Sequence, residues 1–197
     1  MNTQLQPTLR YALVSRSALS TRTINVLLVA LGVGFLALMA QLSFPLPGSP
    51  VPFTGQTLAV LLLGSAYGAN LVVTTISLYV AAGVAGLPIF TQATHGVSHL
   101  TGATGGYLVG MILASYISGY LAEKKFDQKF STVIPSMLVS NIAIFTLGLI
   151  WLDHVTKQSW SWTIAHGFTP FILGEALKIA IASTSLPVVW RFITRLK

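Results

Sequence analysis

Long apolar runs, separated by short polar or glycine- and proline-rich connections, dominate the pattern of this chain. The runs at 24–42, 56–67, 71–87, 105–122, 133–152 and 170–193 predict six helices, and several approach or exceed the roughly 18 residues that mark a bilayer-spanning helix. The least obvious step is the apolar stretch 56–88, whose 33 residues would form a helix of about 50 Å against a hydrocarbon core of about 30 Å. It has to break, and Gly68, Ala69 and Asn70 are the natural place.

Charge placement supports that break, because loops and tails on the cytoplasmic side are enriched in Lys and Arg. With six spans, Arg10, Arg16 and Arg22, the loop lysines 124, 125 and 129, and Arg191, Arg195 and Lys197 all fall on one side, and only Lys157 lies opposite. Lys178 lies within a helix. The expected fold is therefore all-α: a polytopic membrane protein, a compact bundle of six transmembrane helices with both termini cytoplasmic. Residues 1–197 read as a single membrane domain with a basic tail over 1–22. The first run resembles the apolar part of a secretory signal, but about 19 residues exceed the 7 to 15 of a cleavable one. It is read as a retained helix, not as a leader cut after Ala40.

Composition agrees: 53% of the 197 residues are hydrophobic and 8% charged, against about a quarter charged in soluble domains. The net charge of +7 follows the topology and makes no basic patch for nucleic acid. Without cysteine, a disulfide framework, a thiolate nucleophile and a cysteine metal site are excluded.

On this arrangement three long connections, 43–55, 88–104 and 153–169, share the outer face. The first two carry no formal charge and are rich in Pro, Gly and Thr. They read either as lids folded over a site in the membrane or as tight external turns. The third, with Trp160, Trp162 and His166, suits a segment anchored in the headgroup region.

The main candidate for chemistry is Glu175 with Lys178, three apart on one face of the last helix, about 8 to 12 Å below its outer end. Each ionisable group near the centre of a spanning helix costs about 2.5 to 3.5 kcal/mol, so such residues usually face a polar cavity. Lys178 suits an anionic group such as a carboxylate, and Glu175 suits hydrogen-bond donors on a ligand; the alternative is a self-neutralised pair pinning helices together. Gly105, Gly106 and Tyr107 open the fourth helix, whose N-terminus suits anion or amide recognition, although glycines also serve close packing. Tyr79 and Asn141 are candidate ligand contacts or interhelical hydrogen-bonding groups. His95 and His99 sit four apart in a loop, not on a helix, and are not read as a metal site. Ala30 and Gly34 let a second helix approach closely, either within the bundle or from a partner subunit.

The segment Ala40, Gln41, Phe44 to Pro47, Pro50 to Thr54 and Gln56 to Val60 closely resembles the BioY family, the biotin-specific substrate-binding (S) components of energy-coupling factor transporters. Further matches are Ala85 to Phe90, Gly102, Thr104 to Leu108, Gly110, Phe171, Gly174, Leu177 and Lys178. The resemblance implies a six-helix bundle with biotin near the extracellular side, beneath the loops after helices 1 and 3. Glu175 and Lys178 match the family's polar pair, with Glu175 where aspartate is usual and Leu173 where proline is frequent. Phe53, Thr54 and Gln56 join the biotin contacts that the resemblance implies, and Ala30 and Gly34 fall where the family docks a transmembrane subunit that works with two ATPases. Location in the inner (plasma) membrane follows, with biotin as cargo and no cofactor. Readings left beside it are another vitamin on the same fold, an intramembrane enzyme, for which no paired carboxylates, serine motif or metal cluster stand at useful spacing, and a structural subunit.

Overall fold

The computed structural model describes residues 8–195. Nine helices occupy them: α1 (Leu9–Arg16), α2 (Thr21–Gln41), α3 (Gln56–Tyr67), α4 (Ala69–Val84), α5 (Ser98–Thr101), α6 (Gly105–Glu123), α7 (Phe130–Thr156), α8 (Trp160–Gly167) and α9 (Ile172–Arg195). Two short strands, β1 (Ser43–Phe44) and β2 (Phe53–Thr54), pair antiparallel in the connection between α2 and α3.

The six predicted runs correspond to α2, α3, α4, α6, α7 and α9, with shifted ends. Helix α2 starts earlier because Ser20 caps it, its hydroxyl accepting from Thr23 N–H at 3.1 Å. Helix α4 stops at Val84, before Gly86 takes the left-handed region (φ +113°). By length and composition α2, α6, α7 and the stretch from Trp160 to Phe192 can cross a membrane. Helices α3 and α4 have 12 and 16 residues, or about 18 and 24 Å. Helix α3 also begins low, beside the last turn of α2: Gly55 N–H reaches Met39 O at 3.2 Å and Leu42 O at 3.0 Å.

The break in 56–88 falls at Gly68 (φ +81°, ψ 167°), a conformation glycine adopts without penalty. Glu123 at the end of α6 then caps the new helix, its Oε1 accepting from Ala69 N–H at 2.9 Å. A Cβ on residue 68 would stand 2.7 Å from that oxygen, so sequence and cap are matched.

Helix α6 is the central member, packed on α3, α4 and α7. One apolar core, including Leu36, Ile76, Tyr79, Phe90 and Ile144, surrounds its N-terminal half; a second, of Leu61, Val133, Met137, Ile179, Ala182 and Leu186, joins α3, α7 and α9. Helix α2 lies at the margin with Val26, Leu27, Leu31 and Leu38 exposed, as a bilayer-facing surface requires.

Two contacts fix which helix ends meet. Besides Glu123 with Ala69, Asp127 Oδ2 accepts from Trp190 Nε1 at 2.5 Å. The end of α6, the start of α4, the α6–α7 loop and the end of α9 thus share one end of the bundle, which also holds Lys124, Lys125, Lys129 and Arg191.

Candidate functional site

At the other end, the two uncharged connections and α3, α6, α7 and α9 enclose a cavity of about 410 Å³, within the range of small-molecule sites. Pro45, Ser49 to Pro52 and Thr54 line it from the first connection, and Phe90 to Gln92, Thr94, Ser98, His99 and Gly102 to Thr104 from the second. Its inner wall is mostly apolar, with Tyr107, Met111, Ile144, Phe145 and Phe171.

The polar groups converge on one wall. Lys178 Nζ donates to Thr54 O at 2.6 Å, Thr57 Oγ1 at 2.8 Å and Glu175 Oε1 at 2.6 Å. Thr57 in turn donates to Glu175 Oε1 at 2.8 Å. The ammonium has three N–H groups, so this arrangement uses all of them, and its charge also lies 4.0 Å from the centre of the Phe53 ring, within cation–π range. Glu175 and Lys178 are 7% and 6% exposed. Glu175 Oε2 is buried without a protein partner, although a buried carboxylate oxygen is costly to leave unpaired. Glu175 Oε2 therefore has unmet hydrogen-bonding capacity beside the cavity that Glu175 lines, while its other oxygen is held by Lys178 and Thr57.

Gln56 and Tyr107, both expected at the site, also line the cavity. Gln56 Nε2 donates to Tyr79 Oη at 2.9 Å, and Tyr79 donates onward to Ile89 O at 3.0 Å. Tyr79 is fully buried and so braces Gln56 and the second connection from behind. Phe53 stands behind Lys178 and stacks on Phe171, ring centres 6.4 Å apart.

Like Phe53 and Tyr79, the remaining expected residues do not line the cavity. Gly106 turns its open face to α7, where a Cβ would run into Trp151 and Leu147 O, and Gly105 turns its own first to the backbone of Leu100 in the preceding turn, with Trp151 Nε1 next at 2.9 Å. They permit close helix packing, and their neighbours Gly102, Ala103 and Thr104 line the cavity instead. Asn141 lies about one turn along α7 from the lining residues Ile144 and Phe145, buried, with neither amide atom paired to protein. Ala30 and Gly34 are exposed on α2, and a Cβ on Gly34 would meet nothing within 4 Å; Gly32, against Thr75 and Tyr67, is the one that packs inward.

Thr57, Phe90 and His99, which the sequence did not single out as ligand contacts, also line the cavity. His99 lies in the single-turn helix α5 and not in an open loop, with its ring 5.0 Å from that of Phe90 and its Nε2 2.6 Å from Thr94 Oγ1. Burial, and then the charge of nearby His95, lower its pKa from the ordinary value. No group of three metal-ligating side chains occurs among the described residues. The second connection is fastened at several points. Gln41 Nε2 donates to Phe90 O at 3.1 Å, its Oε1 accepts from Ala93 N–H at 2.9 Å, and Gly96 N–H reaches Gly83 O at 2.8 Å. Gln92 and Ala93 take left-handed φ of 58° and 53° there, a strain that these contacts hold in place.

The BioY family model matches residues 10–195. A biotin transporter BioY2 of Lactococcus lactis is 32% identical over 165 residues, 83% of this chain and 88% of that protein. A biotin transporter BioY of Thermotoga maritima is 37% identical over 151 residues, 73% and 82% of the two chains. Among solved structures, the S-component for biotin from an ECF-type ABC transporter superposes with a TM-score of 0.78 at 20% identity, covering 86% of this chain and 92% of that one. These proteins are named for transport and none for catalysis.

Proposed function

The chain belongs to the BioY family of membrane transporters, and on that premise we propose that it captures biotin in the cavity beneath the two uncharged connections and takes it across the plasma membrane. The observation that carries this reading is Glu175 Oε2, a buried acceptor without a protein partner on the wall of a cavity of about 410 Å³. Biotin has two ureido N–H donors, a compact apolar ring system and a carboxylate tail. A ureido N–H satisfies Glu175 Oε2, the ring fills the space among Met111, Phe145 and Phe171, and the carboxylate lies toward Thr104 and the positive N-terminal end of α6. Lys178 holds Glu175 in place through their ion pair, and Gln56 supplies a further polar contact. Asn141, one turn below, is a contact only for a ligand that reaches past Phe145.

The six apolar helices cross the membrane with both termini in the cytoplasm. Basic residues gather at the end away from the cavity, with Lys157 at the cavity end, and the positive-inside rule then puts the cavity outside. Energy comes from a transmembrane subunit and two ATPases, docked on α2 where exposed Ala30 and Gly34 give a smooth surface.

Radiolabelled biotin binding to the purified protein, challenged by a panel of other vitamins, tests the reading. Saturable binding that biotin displaces best, and that Glu175→Gln abolishes, is expected; displacement by a different vitamin at lower concentration would reassign the cargo. Uptake by cells expressing the chain alone then reports whether further subunits are needed.

A further inference from the structure

At the end of the bundle away from the cavity, the loop between α6 and α7 carries Lys124, Lys125 and Lys129, all exposed. The nearest carboxylates in sequence do not neutralise them. Glu123 spends Oε1 on Ala69 N–H, and Asp127, 2% exposed, is turned inward to Trp190. None of the three lysines has an ion pair among the described residues, where Lys178 with Glu175 is the salt bridge found. The charge is therefore available to an external anion.

The surface leading to it has the profile of a lipid. Along α6, Val109, Leu113, Tyr116 and Tyr120 are exposed in one stripe that ends at Lys124, at spacings of three and four that share a helix face. Tyr116 and Tyr120 stack with ring centres 6.2 Å apart and planes at 13°, and Lys124 Nζ stands 4.9 Å from the Tyr120 ring. From Leu113 to Lys124 the helix rises about 16 Å, and one leaflet of hydrocarbon is about 15 Å deep. An acyl chain on Val109 and Leu113 thus brings the glycerol region to the tyrosines, where aromatic residues favour the interface, and the phosphate to the lysines.

We propose that Lys124, Lys125 and Lys129, with Tyr116 and Tyr120, form a binding site for the headgroup of an anionic phospholipid in the adjoining leaflet. An uncharged or zwitterionic headgroup lacks the net charge that the loop leaves unmatched. The site is independent of the cargo, so it stands whatever the cavity binds.

The test is native mass spectrometry of the purified protein taken from micelles containing equal phosphatidylglycerol and phosphatidylcholine. Retention of phosphatidylglycerol by at least about fivefold over phosphatidylcholine is expected, the factor that a single lysine near a lipid surface supplies. The triple variant Lys124→Gln/Lys125→Gln/Lys129→Gln should lose that preference, whereas Arg22→Gln/Lys157→Gln, which removes charge elsewhere, should keep it. Tyr120→Leu, which keeps every charge, should weaken it and covers the case in which the triple variant misfolds. Equal retention of the two lipids by the unaltered protein would overturn the proposal, as would equal loss in the triple variant and the control. Loss of a co-purifying acidic protein from the triple variant, with lipid retention unchanged, would also overturn it and make the loop a protein-docking surface.

Discussion

Thr57 Oγ1 donates a hydrogen bond to Glu175 Oε1 at 2.8 Å, joining the first turn of α3 to α9 across 118 positions of sequence. The same hydroxyl accepts from Lys178 Nζ at 2.8 Å, so one threonine orients both members of the buried ion pair. Thr57→Val keeps the shape and removes both bonds. A hydrogen bond to a charged group contributes about 1.5 to 3 kcal/mol, so biotin affinity should fall at least about tenfold. Equilibrium dialysis with labelled biotin measures it; unchanged affinity would mean that the pair holds its geometry without Thr57.

The ion pair separates stability from binding. Lys178→Ala leaves the Glu175 carboxylate buried without its counter-ion, and breaking a buried pair in this way costs about 3 to 5 kcal/mol. The double variant Glu175→Gln/Lys178→Met removes the stranded charge and should recover most of the melting temperature in detergent. It should not recover biotin binding, because the carboxylate acceptor is gone. Recovery of both would show that the pair is a structural pin.

How far the sequence foretold these features depends on the range of the physics involved. The break at Gly68 was legible because a 33-residue apolar stretch is too long for one span, and Glu175 with Lys178 because charge inside an apolar helix is costly. Thr57 was not: a threonine in an apolar helix is unremarkable until α9 arrives beside it. Gly105 and Gly106 suit either a ligand at a helix N-terminus or close packing, and composition does not say which side of α6 meets Trp151. For the same reason the sequence left Ala30 and Gly34 open between internal packing and an outward face.

Phe90 fixes the second connection by filling the space above Gly83, where an added Cβ would stand 2.3 Å from the ring. Gly83→Ala forces the ring out of its slot and away from Tyr79, against which it packs edge-on at 5.5 Å. Overpacking of this kind costs about 1 to 3 kcal/mol, and the loop that closes the cavity bears the loss. Biotin should dissociate about tenfold faster, with a smaller change in association, because most effects of site mutations fall on the off-rate. Stopped-flow or filter-binding kinetics measures this, and unchanged dissociation would show that the hydrogen bonds of Gln41, Tyr79 and Gly96 hold the loop without Phe90.

Asp127 predicts a pH dependence with a definite sign. Burial raises its pKa from 3.8 to about 6, against the opposing hydrogen bonds from Trp190 and its own backbone. The folded state therefore favours the protonated acid: the stabilisation is complete below about pH 4 and is lost as pH rises through about 6. A shift of about two units corresponds to roughly 3 kcal/mol. Asp127→Asn keeps a carbonyl oxygen for Trp190 and carries no charge, so it should melt higher than the unaltered protein at pH 7.5 and nearly level with it at pH 4.5. Melting curves in detergent at the two pH values decide the matter. A variant less stable at both would mean that the carboxylate has a cationic partner at that end of the bundle and is held there as an anion.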